Sequence, residues 1–481
     1  MKAIGITLGP NAHSYAEKED EQRVTISDIR ARESTRDGRM ARRQHQLELL
    51  EAAEATEGLL YGPGIYDSIV TMLVNFNNIN IPEFMDSKFF EAAFKVGFNG
   101  KVLELKNVLF TMGPKPGENY IGHIYRADAT YNDGGSDDKK ISLIIKVQPS
   151  GPLGEHFGEM GLFTRERDIY VHALPEIERL LDGEALAPRF LYYTPAPVET
   201  FVFVDVTSLG YILADRVKGL DEEHCGLVFE KLAKFHAASK VLAREQPEVF
   251  RIFSKDLLVN SIKDQNMVEE SFIKPFEHLA KVVETWPGFK ETAEKLCRFI
   301  SIIPQNLPKW FGPAKKETKV LAHNDLWANN ILFKYENGKP IDLYFIDFQG
   351  SVYSSPGLDF SHFLYTNPQF DVLDQKRDLL IEACYYKTFK STLENLGYSP
   401  IPTLENILEE IAKRETVGFV WAVVKLFLVC MDPSECGENS LENLTDKDKG
   451  DRIREIGMSS KRFVTTIQYV LRRMEKIGVL K

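Results

Sequence analysis

The chain has 481 residues, 43% of them hydrophobic, and carries a formal net charge of -11 with a pI near 5.6. That length suits one two-lobed unit plus an appendage, and the acidity disfavours a nucleic-acid partner, because phosphate backbones are bound by basic surfaces. The five cysteines, Cys225, Cys297, Cys384, Cys430 and Cys436, include no C-x-x-C pair; without a secretory signal they read as free thiols in a reducing, cytoplasmic setting.

Residues 1–81 differ in composition from the rest of the chain. The stretch from Glu17 to Glu57 is dense in charge of both signs, and Gln46 to Ala53 has helical propensity with little apolar surface to bury. A disordered or weakly helical extension is expected there. From 82 to 204, strand-like runs surround one helix, which suits a small, mainly β nucleotide lobe. From 205 to 481 helices dominate, as in a larger catalytic and substrate-binding lobe. Together these imply an α+β fold.

Within the first lobe, Gly113 to Gly122 holds three glycines. It reads either as a turn laying backbone amides over phosphates or as an ordinary hairpin turn. The run Lys140 to Val147 is a strand in which Lys146 is the one charge inside apolar sequence. A buried, unpaired ammonium costs several kcal/mol, so Lys146 needs an anion. Glu166 is the candidate, in a helical segment Phe163 to Tyr170 that is expected to end before Pro175. Further on, Leu227 to Ala238 places Val228, Leu232 and Phe235 on one helical face, with His236 at its edge as a packing residue.

The most informative segment lies in the second lobe. His323-Asn324-Asp325-Leu326-Trp327-Ala328-Asn329-Asn330 precedes two β-prone runs, Ile331 to Tyr335 and Ile341 to Ile346, joined through Asn337-Gly338, a pair that tolerates positive φ. Asp347 comes directly after the second run. A hairpin brings its ends together, so Asn330 and Asp347 can converge on one magnesium ion, a hard cation suited to oxygen ligands. Alone, each of Asp325, Asn330 and Asp347 would read as a turn cap. At this spacing the three match what phosphoryl transfer from ATP to a hydroxyl requires: a carboxylate for the nucleophile and two metal ligands. The 13-residue run Gly418 to Cys430 contains a lysine and is too short to span a bilayer, so it reads as a buried helix and no integral membrane segment is expected. The acidic stretch from Pro433 to Asp451 reads as a mobile loop.

The order of these pieces, with Asn119-Tyr120 in the Gly-rich turn, Phe203-Val204-Asp205, and Asp347-Phe348-Gln349, resembles the insect ecdysteroid kinase-like family. That family is related to choline kinases and aminoglycoside phosphotransferases within the protein-kinase-like fold. The resemblance runs from about Pro82 to near the C-terminus. It implies that Asp325 orients and deprotonates a substrate hydroxyl, that Asn330 and Asp347 hold Mg2+, and that Lys146 meets the nucleotide phosphates and is fixed by Glu166. It also implies nucleotide contacts from Asn119 and from the Phe203 to Asp205 hinge, and support of the catalytic loop by Asp359. His323 then reads as a loop-positioning residue and Trp327 as packing. Asn324 stands where glycine is common in the family, and asparagine tolerates left-handed backbone better than most residues. Gln349 in place of glycine argues against a protein kinase.

Two functions fit the sequence. One is an ATP-dependent kinase acting on a hydroxyl of a small molecule, an ecdysteroid or another steroid-like or xenobiotic alcohol. The other is a catalytically silent relative that binds nucleotide or a hydrophobic ligand. The presence of every expected phosphate-transfer residue favours the enzyme. Choline is disfavoured as acceptor, since no aromatic or acidic cage can be traced from residue order.

Overall fold

The computed structural model describes residues 81–481 apart from 102, 113–121, 150, 256, 258–264, 315, 433–434, 436–442 and 445–446. The charged extension up to residue 80, and Asn119 with all of the Gly-rich turn but Gly122, lie outside the described residues. The described residues divide into two compact units, one ending at Met112 and resuming over Tyr125–Leu143, the other ending at Ile124 and resuming over Ile144–Lys481.

In the first unit a helix, Ser87–Gly97, starts where the Asp86 carboxylate accepts the Phe89 amide at 3.0 Å, an N-cap that satisfies one of the amides a helix start leaves unpaired. The helix buries Phe89, Phe90, Ala93 and Phe94, positions that share one helical face. Strands β1 (Glu104–Met112) and β2 (His123–Asn132) pair antiparallel. Ala127, Ala129 and Tyr131 of β2 point inward at the two-residue period of a half-buried strand. Phe90 meets Phe110 at 5.9 Å and Phe94 meets Tyr131 at 5.4 Å. The boundary between the units falls inside β3 (Lys139–Val147), after Leu143.

The second unit takes the end of β3 and ties it down through the Gln148 amide, which donates to the Glu199 carbonyl at 3.0 Å. Strands β4 (Phe190–Thr194) and β5 (Thr200–Val204) pair antiparallel. Then come β6 (Tyr211–Leu213), β7 (Val320–Ala322), β8 (Ile331–Glu336), β9 (Lys339–Phe345) and β10 (Val352–Ser354), arranged as a β6-β8-β9 sheet and a β7-β10 pair. The β8–β9 hairpin turns on Asn337 at φ 52 and Gly338 at φ 79, the positive-φ pair whose twist matches that of the flanking strands. The remainder is largely helical, which makes the chain an α+β protein.

The organising helix of this unit is Glu222–Glu245, which begins at Asp221 with the carboxylate capping the His224 amide at 3.1 Å. One side packs Phe229 against Phe360 and Phe363, each at 5.2 Å, and Phe235 reaches Phe348 at 6.1 Å. The segments before and after the hairpin are thereby built on a single core.

Three expectations change in detail. Helicity does not end before Pro175: an α-helix, Leu162–Asp168, passes through a π-turn, Ile169–Ala173, into a second helix, Leu174–Leu180, whose first turn holds the proline. That turn has no need of the amide proline lacks. The run from 418 to 430 is two helices, Glu415–Val424 and Leu426–Val429, broken at Lys425 with φ -120 and ψ -35. Most of the acidic stretch expected as a mobile loop lies outside the described residues, and its end is helical, since Lys447 to Asp451 open the helix Lys447–Ser459. Among the described residues no helix is long and apolar enough to cross a membrane, and the four described cysteines are free thiols.

Candidate functional site

The site grows from the end of β3. Lys146 and Glu166 are both buried and form an ion pair, Nζ to Oε2, at 2.7 Å. Nζ also reaches Asp347 Oδ1 at 2.8 Å. Burial works against the ammonium, but Asp347 and then Glu166 outweigh it and raise the Lys146 pKa. Two carboxylates share this one cation. Burial therefore dominates at Glu166, whose pKa is pushed up to about 7, with Lys146 opposing and Asp347 reinforcing the shift. The neighbouring Arg165 donates to the Ser351 carbonyl and, at 2.8 Å, to the Lys255 carbonyl, which fastens the Glu166 helix to the turn after Asp347. Gly122, last of the Gly-rich turn, has φ 97, and a Cβ there would lie 3.0 Å from the Val147 carbonyl oxygen and 4.0 Å from Lys146 Cγ. The end of that turn thus passes against β3 beside Lys146, as glycine alone permits.

Asp347 itself has left-handed backbone, φ 63 and ψ 64. The conformation is unfavourable for most side chains and is held by the next residue. Phe348 is fully buried, edge-on to Tyr170 at 5.5 Å and 4.8 Å from the His323 ring. The Phe348 amide also donates to Glu166.

Asp359 organises the loop before Asp325. Its Oδ2 accepts the His323 amide at 2.9 Å and its Oδ1 the Asn324 amide at 2.6 Å. His236 Nε2 lies 2.8 Å from Oδ2, and the other ring nitrogen of His236 is 2.9 Å from the Tyr385 hydroxyl. Burial pushes against the Asp359 charge, yet His236, His323 and the Asn324 amide hold its pKa below the ordinary value. These bonds stabilise Asn324 at φ 62, and the Asn324 side-chain amide donates to the Gly350 carbonyl at 3.1 Å. His323 Nε2 lies 3.0 Å from the Ile346 carbonyl; a carbonyl can only accept, so Nε2 carries the proton.

Asp325 therefore emerges from a loop fixed from behind. Asn330 Nδ2 donates to its Oδ2 at 2.9 Å and to its backbone carbonyl at 2.8 Å. Oδ1 is ion-paired with Lys425. His362 Nε2 lies 3.6 Å from the same oxygen. Burial would raise the Asp325 pKa, but Lys425, followed by His362 and His323, brings it down to about 2. Burial first, then Lys425, lowers that of His362 to about 3, so the imidazole is neutral near pH 7.

Asn330 and Asp347 flank the open end of the β8–β9 hairpin, where the Ile346 amide donates to the Asn330 carbonyl at 3.0 Å. Both are oxygen donors. Because Nδ2 of Asn330 is committed to Asp325, its amide orientation is set, and Gln349 Oε1, two residues past Asp347, is buried with no hydrogen-bond partner. The set fits a hard divalent cation that keeps waters and takes further oxygens from phosphates. Among the described residues no cluster of three His, Cys, Asp or Glu suited to a metal is present, which separates this arrangement from an all-protein cage.

Phe203 to Asp205 make no hydrogen bond to these side chains among those described, although Phe203 packs on Tyr170 at 4.9 Å. Phe203 stacks on Phe201 at 5.7 Å, the Val204 amide donates to the Arg189 carbonyl at 2.9 Å, and Asp205 caps a short 3-10 turn through the Thr207 amide at 2.9 Å. Recognition of an adenine edge through Val204 would use its carbonyl rather than its amide. Sequence reasoning misses Lys425 and His362. Lys425 carries the same signal as Lys146, a lone charge within an apolar run, but in sequence it passes for an incidental feature of a buried helix. His362 carries no signal, since its place beside Asp325 is a product of tertiary packing.

The hairpin-borne Asp and Asn, the buried lysine with its glutamate and the loop-bound Asp325 define a small-molecule phosphotransferase of the kinase-like class. Residues 116–398, more than half of the chain, match the model of the ecdysteroid kinase-like family, and the chain belongs to that family. It matches no curated protein sequence. Among solved structures it is similar to a protein of Ralstonia eutropha JMP134 described as an aminoglycoside phosphotransferase, at 13% identity and TM-score 0.39, covering 80% of this chain and 98% of that one. It is also similar to the GDP and kanamycin complex of an aminoglycoside phosphotransferase, APH(2")-IIIa, at 12% identity and TM-score 0.32, covering 81% of this chain and 98% of that one. The GDP complex of wild-type aminoglycoside 2'-phosphotransferase-IIIa shares 13% identity at TM-score 0.32, covering 72% and 97% of the two chains.

Proposed function

We propose that this protein transfers the γ-phosphoryl group of ATP to a hydroxyl of a small alcohol, and that the alcohol is an ecdysteroid or another steroid-like or xenobiotic compound. The observation that carries the reading is the single connected arrangement of Asp325, Asn330, Asp347, Lys146 and Glu166. In this reading residues 82–204 bind nucleotide and 205–481 carry catalysis and the acceptor.

The acceptor hydroxyl donates a hydrogen bond to the Asp325 carboxylate, each of whose oxygens retains a free lone pair beside Lys425 or Asn330. Its oxygen bonds to the γ-phosphorus as the bond from phosphorus to the β,γ-bridging oxygen breaks, releasing ADP. The hydroxyl proton passes to Asp325 and then to water. An acid with a pKa of about 2 is a weak base. It orients the nucleophile and takes the proton late, when the loose transition state has made that proton acidic. Lys146 bonds to the nucleotide phosphates, and Glu166 keeps its ammonium aimed. Asn330 and Asp347 would hold Mg2+, which when bound neutralises phosphate charge. Were Asp347 engaged there, Glu166 would be the carboxylate left to hold Lys146.

The test is phosphate transfer from labelled ATP, with and without magnesium, over a panel of steroid alcohols, plant glycosides and choline, using the wild type and Asp347→Ala. Magnesium-dependent transfer that disappears in Asp347→Ala is expected. No transfer to any alcohol, together with no binding of Mg-ATP, would overturn the proposal in favour of the silent relative.

A further inference from the structure

Lys425 is a charged group that neither the nucleotide nor the metal chemistry uses. It occupies the break between two apolar helices, with Nζ ion-paired to Asp325 and lying 4.9 Å from the Trp421 ring centroid and 5.4 Å from that of Trp327. The ammonium is thus held between a carboxylate and two aromatic rings, the surroundings that would otherwise capture a cationic ligand. Its side chain is 24% exposed and that of Asp325 20%, so the pair opens to solvent, whereas His362 on the same carboxylate oxygen is fully buried. His362 meets Trp421 edge-on at 4.9 Å. The groups facing Asp325 are then Lys425, the neutral imidazole of His362, the Asn330 amide and, more distantly, His323. The positive charge at its open side is that of Lys425.

We infer that Lys425 sets the charge class of the acceptor: the alcohol whose hydroxyl reaches Asp325 is uncharged, and amino alcohols and other cations are rejected. The inference rests on the reading of Asp325 as the residue that receives the hydroxyl. Lys425 fills the position from which a carboxylate and two indoles would recognise an ammonium. The Asp325 carboxylate offsets part of the repulsion because the two charges form one ion pair, so a second cation about 6 Å from Lys425 is disfavoured by a preference on the order of tenfold.

The experiment compares an uncharged ecdysteroid with choline, in the wild type, Lys425→Met and Lys425→Arg. Two quantities are read: kcat/KM for phosphate transfer, and Kd from the change in tryptophan fluorescence, which needs no turnover. The wild type should favour the uncharged alcohol by about tenfold or more in Kd. Lys425→Met should erase most of that preference, and Lys425→Arg should keep it. A wild type that binds choline as well as the ecdysteroid overturns the inference, as does an unchanged preference in Lys425→Met; the wild-type comparison stands even if Lys425→Met fails to fold. Charge-selective binding without any transfer would sink the kinase reading and leave this inference in place, whereas transfer without charge selectivity would do the reverse.

Discussion

Lys146 and Asp347 are 201 residues apart in the chain, and their side chains meet at 2.8 Å. Because Lys146 also bonds Glu166 at 2.7 Å, one buried cation serves two carboxylates and the trio carries excess negative charge. In the nucleotide-free protein that excess falls on Glu166, whose pKa rises to about 7. A raised carboxyl pKa means that the folded state binds a proton the unfolded state has released. Stability is therefore fully present below the ordinary value of 4.5 and declines as pH rises through about 7. The melting temperature of the nucleotide-free protein should fall between pH 5 and 8, and Asp347→Asn should flatten that decline. A wild-type melting temperature that climbs over this range would remove the excess-charge account.

Replacing Lys146 by methionine leaves Glu166 buried without its cation. The expected loss is about 3 kcal/mol of stability at pH 8, smaller at pH 5 where Glu166 takes up a proton. Adding Glu166→Gln should restore part of it, a coupling that urea unfolding of the four variants measures. Turnover should fall by roughly 100-fold or more with little change in KM for the acceptor. Equal kcat in Lys146→Met and wild type would take the lysine out of the mechanism.

Asp359 is buried and accepts two backbone amides besides facing His236. In Asp359→Ala those amides lose their acceptor in a site closed to water. The change should cost about 3 to 5 kcal/mol and lower kcat by releasing Asp325, although Asp359 lies behind the loop. Denaturant titration gives the first quantity and steady-state kinetics the second. A variant as stable and active as the parent would show that the loop is held by other contacts.

Asn324 is left-handed at φ 62, so the two small replacements should behave differently. Alanine meets the strain of positive φ and loses the bond to the Gly350 carbonyl, for about 1 to 2 kcal/mol. Glycine loses the bond but relaxes the backbone, and should remain within about 1 kcal/mol of the parent. Should alanine prove as well tolerated as glycine in thermal melts, backbone strain is not what selects the residue here.

Much of the fold and site is legible in the chain because the signals are local. Asn337-Gly338 specifies a two-residue turn through its φ preference, and the β-prone runs on either side then dictate a hairpin whose ends meet. That alone brings Asn330 beside Asp347. Lys146 in an apolar strand demands a buried anion by charge cost, and the one it takes, Glu166, is within reach of sequence reasoning.

What sequence alone leaves open depends on contacts between distant segments. Pro175 reads as a stop although it fits the first turn of a further helix, because local propensity does not register a π-turn that carries the chain past it. Lys425 and His362 reach Asp325 because a helix break and the packing of Trp421 place them there, across 100 residues in the case of the lysine. Sequence determines which groups must be paired, since burying a charge alone is prohibitive. The tertiary structure decided which partners were chosen, because several carboxylates satisfy the same energetic demand and packing selects among them.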